Sequence, residues 1–121
     1  MKAPKIFHCR TRQTDPTTPV TVEISKYRDN DTLEVILKCA RAPWEPFAVI
    51  TVNLSGSPYG DSKFQDNTHA YIDTNNCPWA EDFLKENGIA KYDERDIYGM
   101  SGYCTYPLYE FDLDSVKENE E

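Results

Sequence analysis

Apolar side chains fall on alternate positions at Val20, Val22 and Ile24, with Thr21, Glu23 and Ser25 between them. This two-residue period predicts a strand with one buried face. Asp29-Asn30-Asp31 follows as a turn, because short polar side chains bond their own backbone and tolerate left-handed geometry. On the far side Leu33, Val35 and Leu37 alternate with Glu34, Ile36 and Lys38, so the two segments form a hairpin. Before the hairpin, Lys5 to Arg12 is a weaker strand around Ile6 and Phe7, and Thr14 to Pro19 is a loop marked by Pro16 and Pro19. Phe47 to Leu54 is almost continuously apolar and rich in β-branched residues. That run predicts a central strand buried on both faces.

Ser55 to Asn67, with Gly56, Pro58, Gly60 and Asp61, reads as an exposed loop of functional length, and His69 to Asp73 as a short strand. One helix is expected from about Pro78 to Asn87. Asn75 and Asn76 offer capping oxygens, Pro78 suits the first turn, and Gly88 suits the left-handed stop. Trp79, Ala80, Phe83 and Leu84 give it an apolar stripe to lay on the sheet. Tyr92 to Gly102 reads as a second long loop, and Tyr103 to Leu113 as a last strand in which Pro107 marks an edge or a bulge. The expected fold is α+β: a meander-like antiparallel sheet of about five to six strands packed by one short helix. Residues 1–114 form a single domain, and residues 115–121 an acidic flexible tail.

A chain of 121 residues can bury one core without disulfides or metals. No apolar run reaches membrane-spanning length and the first residues lack the apolar stretch of a secretory signal, so a cytoplasmic protein with no membrane contact is expected. Cys9, Cys39, Cys77 and Cys104 are widely spaced, with no Cys-x-x-Cys pair, and read as reduced thiols; neither a metal nor a cofactor is expected. Charge changes the picture more. Residues 1–60 carry eight cations and six carboxylates, whereas residues 61–121 carry fifteen carboxylates and five cations, leaving the halves at +2 and −10. Such a field repels nucleic acid and attracts a basic protein surface.

Catalytic chemistry has few candidates. His69 with Cys104 or Cys77 would make a small cysteine hydrolase if the pair met in a cleft. Asp73 with Glu81 and Asp82 is explained by helix capping, and Gly56 to Gly60 lacks the lysine and the following helix of a phosphate loop. Five of the eight tyrosines, Tyr92, Tyr98, Tyr103, Tyr106 and Tyr109, fall in the acidic stretch from residue 92. Acid with tyrosine is a partner-binding composition, although alternate tyrosines also serve simply to cover a sheet face.

Ala70 to Ala90 (AYIDTNNCPWAEDFLKENGIA) and Ser101 to Leu113 (SGYCTYPLYEFDL), together with Thr51 to Leu54, resemble a domain-of-unknown-function family of short proteins encoded by conjugative elements and phages of anaerobic gut bacteria. The likeness covers roughly residues 20–113 and brings no catalytic residue; it implies a mobile-element setting. In that setting the expectation is a non-enzymatic inhibitor of a host defence nuclease, of anti-CRISPR or anti-restriction type, that covers a basic nucleic-acid site without binding nucleic acid itself. Its contact residues would be Asp61, Asp66, Asp93, Glu94, Asp96, Tyr98, Tyr103, Tyr106, Tyr109 and Glu110. The alternative is an accessory protein that binds a transfer or replication protein. Either would be a monomer or a weak homodimer.

Overall fold

The computed structural model describes residues 2–3, 5–12, 16–40, 45–54, 61–101, 104–116 and 119–120. In chain order the elements are β1 (Lys2–Ala3), β2 (Phe7–Cys9), β3 (Thr18–Lys26), β4 (Leu33–Cys39), β5 (Pro46–Val49), β6 (Thr51–Val52), β7 (His69–Ile72), α1 (Ala80–Glu86), β8 (Ala90–Tyr92), β9 (Tyr98–Ser101), β10 (Cys104–Phe111) and β11 (Asn119–Glu120). Short 3-10 helices span Asp61–Phe64 and Leu113–Val116. The fold is α+β, with one short α-helix and only antiparallel strand pairs among the described residues.

The strands divide between two main sheets. The first is the expected meander, in the order β2-β3-β4-β5. Its hairpin turns at Asp31, which takes the left-handed conformation (φ 58°). Leu33, Val35, Leu37 and Val20 are buried as the alternation requires, but Ile24 is 37% exposed. The second sheet runs β6-β7-β10-β8, with β9 also paired to β10.

The apolar run from Phe47 is therefore not one central strand. It is cut at Ile50: β5 closes the first sheet and β6 opens the second. The Ile50 N–H donates to the Val35 carbonyl at 3.1 Å, and its carbonyl accepts from Asp73 N–H at 2.9 Å. Ile50 is fully buried where the chain passes between the sheets, and burial on all sides produces the same unbroken apolar sequence as a central strand.

The central strand is instead β10, buried on both faces from Tyr106 to Tyr109. One face joins the first sheet and α1 in the main core, around Ile50, Ile72, Phe83, Leu84, Tyr109 and Phe111. The edge-to-face rings of Phe7, Phe83, Trp79 and Phe47 hold α1 there, with centroids 5.8–6.5 Å apart. The other face carries a smaller core of Leu54, Tyr71, Tyr106 and Leu108, with Phe64 and Ile97 packed against it. Pro107 lies inside β10, next to the point where pairing with β7 stops at Leu108; a ring without an N–H cannot extend that ladder.

Helix α1 starts later than expected. The segment before it is held by Asp73, whose carboxylate accepts from Asn76 N–H (3.1 Å) and from the Asn76 side chain (2.9 Å). The stop follows expectation. Gly88 (φ 67°) donates to Lys85 O, and Ile89 N–H reaches back to Leu84 O at 3.0 Å, a Schellman end. At the C-terminus, where a free tail is expected, Lys5 Nζ donates to Ser115 O at 2.8 Å and β11 pairs with β1.

Candidate functional site

Within the segment expected as a loop from Tyr92 to Gly102, Tyr92 and Tyr98–Ser101 are edge strand, interrupted between them. β8 pairs with β10 up to Tyr92↔Tyr109, and β9 resumes at Tyr98↔Pro107, so Asp93 to Ile97 bulges out opposite Leu108 alone. Leu108 still makes both of its ladder bonds on that side: its carbonyl accepts from Asp93 N–H and its N–H donates to Ile97 O, both at 3.0 Å. The five residues form an outfold pinned at both ends.

The outfold is built around a buried carboxylate. Asp93 Oδ1 accepts from the Arg95 backbone N–H (2.9 Å) and from Arg95 Nε (2.8 Å), while Oδ2 takes Arg95 Nη2 (3.1 Å). The Arg95 guanidinium, with support from the backbone N–H, holds the Asp93 carboxyl down to about 2 against the opposing effect of burial. Arg95 also lies over the Phe64 ring, 5.7 Å from its centroid, and so ties the outfold to the 3-10 helix at Asp61–Phe64. Asp96 supplies the return with a left-handed backbone (φ 58°) and accepts a hydrogen bond from the Tyr92 hydroxyl. That bond, aided by partial burial, raises the Tyr92 phenol above its ordinary range.

Beside the outfold, His69 opens β7 and meets carboxylates on three segments. Its Nδ1 is 2.9 Å from Asp66 Oδ1, and its Nε2 is 3.3 Å from both Asp93 Oδ2 and Glu110 Oε2. Asp66 also caps its own turn, accepting from Thr68 and His69 N–H groups at 2.9 and 2.8 Å. Burial alone would raise its carboxyl, but these donors and the His69 ring outweigh burial and hold it below the usual range. Lys91 reaches Glu110 at 3.5 Å. Together these residues line a cleft of about 450 Å³ with Glu94 at its rim. Four carboxylates face two permanent cations and one histidine, so an acidic excess remains.

The cleft unites Asp66, Asp93, Glu94 and Glu110 of the expected contact residues. Asp96 and Tyr98 lie exposed beside it, Tyr98 by 53%. Two tyrosines are corrected. Tyr106 is 7% exposed in the smaller core, and Tyr109 is fully buried with its hydroxyl donating to Glu81 Oε2 at 2.5 Å; burial first, and then that carboxylate, raise its phenol. Alternation along a strand covered on both faces puts tyrosines inside whichever way they point. Asp93 is also corrected from a surface contact to a buried anchor. Tyr103 and the Asp61 side chain lie outside the described residues.

His69, Lys91 and Arg95 complete the cleft and were not among the expected contacts. For Arg95 and His69 the signal is local: Asp-x-Arg and Asp-x-x-His place a carboxylate within reach of following N–H groups and of the side chain, whereas Lys91 meets Glu110 only through the pairing of β8 with β10. Among the described residues lining the cleft there is no cysteine. Cys77 is buried elsewhere, with Sγ directed at Val49 O, and Cys104 packs against the smaller core.

The class of protein so defined is a small α+β domain with a charged cleft beside one edge of its second sheet. The chain belongs to DUF4313, a domain-of-unknown-function family whose model matches residues 21–121. No curated protein and no solved structure matches the chain.

Proposed function

We propose that this protein is a non-enzymatic binding protein that engages a basic protein surface through the Asp93–Ile97 outfold and the cleft behind it. The observation that carries the reading is the build of the outfold: its inner carboxylate is consumed by Arg95, whereas Glu94 and Asp96 are exposed on a backbone pinned at both ends. Charges fixed in this way raise the rate and selectivity of encounter with a basic partner. In its finer form the proposal is an inhibitor, from a mobile element or phage, that covers the nucleic-acid channel of a host defence nuclease. The acidic excess of residues 61–121 supports that target class, because such channels are basic.

The test is affinity capture from a bacterial lysate at low and moderate salt, using the native chain and the double variant Glu94→Lys, Asp96→Asn. Asparagine is chosen at 96 because it keeps the left-handed backbone accessible while removing the charge. The expected result is a basic nucleic-acid-binding protein that is held at low salt, shed as salt rises, and lost with the variant. Equal retention by both forms at both salt concentrations would refute the proposal.

A further inference from the structure

The cleft beside the outfold holds one group whose charge is not fixed. His69 is one of two histidines in the chain, and its side chain is only 16% exposed. Histidine is the side chain that ordinarily gains and loses its charge between about pH 5 and pH 8. Carboxylates meet the ring from three segments. Asp66, in the turn before β7, places Oδ1 and Oδ2 at 2.9 and 3.1 Å from Nδ1, where Thr68 Oγ1 also lies at 3.1 Å. Asp93 of the outfold and Glu110 of β10 each place an oxygen 3.3 Å from Nε2. The permanent cations stand one step further back, Arg95 on Asp93 and Lys91 of β8 on Glu110, with Glu94 at the rim.

The two protonation states of the ring treat these carboxylates differently. The imidazolium carries an N–H on each nitrogen and faces carboxylates on both sides as a donor, whereas the neutral ring carries one N–H and turns a lone pair toward the other side. Asp66 and Asp93 are held below the ordinary carboxylate range, so they keep their charge where histidine loses its own. Among the lining residues, four carboxylates against Lys91, Arg95 and an imidazolium leave a charge of −1, and against Lys91 and Arg95 alone −2. We infer that the proton on His69 controls how strongly the cleft holds a cationic protein surface. The imidazolium occupies Asp66, Asp93 and Glu110, and loss of its proton frees their charge for the partner's ammonium or guanidinium groups. This rests on the acidic-surface reading above and adds the regulation of that site. Affinity rises with pH, and by reciprocity a bound cationic surface expels the proton.

The probe is a peptide of alternating lysine and glycine with acetylated and amidated ends, whose charge is constant between about pH 5.5 and pH 7.5. Its binding to the full chain at low salt is measured at both pH values for the native protein, for His69→Gln and for the double variant Glu94→Lys, Asp96→Asn. The native chain should bind about fivefold more weakly at the lower pH, the effect of one nearby charge in a partly solvated site. His69→Gln should bind equally at both, at the level the native chain shows at the higher pH. A second measurement does not depend on that variant. In the His8→Gln background, where His69 is the one remaining histidine, ring-proton NMR should show the peptide moving the His69 titration to lower pH. The same pH dependence in the native chain and His69→Gln, or a His69 titration that ignores the peptide, would overturn this inference; loss of binding in the double variant would then leave the acidic-surface reading standing. Binding that the double variant leaves intact, or no binding at either pH, would overturn the acidic-surface reading and this inference with it.

Discussion

Gly99 occupies a place where no side chain fits. A Cβ built there would fall 2.3 Å from Leu54 Cδ1 and 2.8 Å from Tyr71 Cε1, and both neighbours are buried. Gly99→Ala should therefore destabilise the protein by about 1–3 kcal/mol, the usual cost of overpacking. A lower urea midpoint at unchanged slope would show it, and an unchanged midpoint would mean that β9 yields without cost. Tyrosines divide by the same criterion of surroundings. Tyr109→Phe deletes a buried hydroxyl bonded to Glu81 and should cost about 1–2 kcal/mol, whereas Tyr98→Phe on the exposed edge should stay within about 0.5 kcal/mol. Composition showed the excess of tyrosine, but the division depends on which strand lies in the middle of the second sheet. Nothing in the spacing of Tyr106 and Tyr109 marks β10 as that strand.

Among the elements, those whose pattern is local were legible: the β3–β4 hairpin through its alternation and turn, and the end of α1 through Gly88. Those set by distant partners were not. Tyr98–Ser101 is a strand because Cys104–Pro107 lies beside it, and the polar outfold ahead of it breaks any periodicity. The acidic cleft was half legible: the charge is plain in composition, but the fold turns Asp93 inward onto Arg95. That pairing makes the outfold acid-sensitive. A carboxyl held at about 2 when folded, against an ordinary value of about 4, contributes stability above about pH 4 that is lost as the pH falls toward 2. Asp66, also lowered, acts in the same direction. Asp93→Asn should flatten the fall in stability between about pH 4 and pH 2, followed by thermal unfolding across that range; a slope equal to that of the native chain would show that the Arg95 pairing contributes nothing to folding.

For the molecule as a whole, the four thiols report on integrity. Cys9 and Cys77 are 1% and 5% exposed, and burial, with Cys77 close by, pushes the Cys9 thiol up to about 12. Burial likewise raises Cys77, with Asp73 nearby. Cys39 and Cys104 are only partly covered. An alkylating reagent near pH 8 should label Cys39 and Cys104 first and reach Cys9 and Cys77 only as fast as the chain unfolds. Equal labelling of all four under native conditions would contradict the packing of the main core. A final consequence lies in Ile50. This residue donates its N–H to Val35 O in β4 and accepts with its carbonyl from Asp73 N–H just beyond β7, so the seam between the sheets cannot open at Ile50 without breaking one of these bonds. The two sheets should then behave as one cooperative unit, with the Ile50 and Asp73 amides exchanging at the same slow rate and only through global opening.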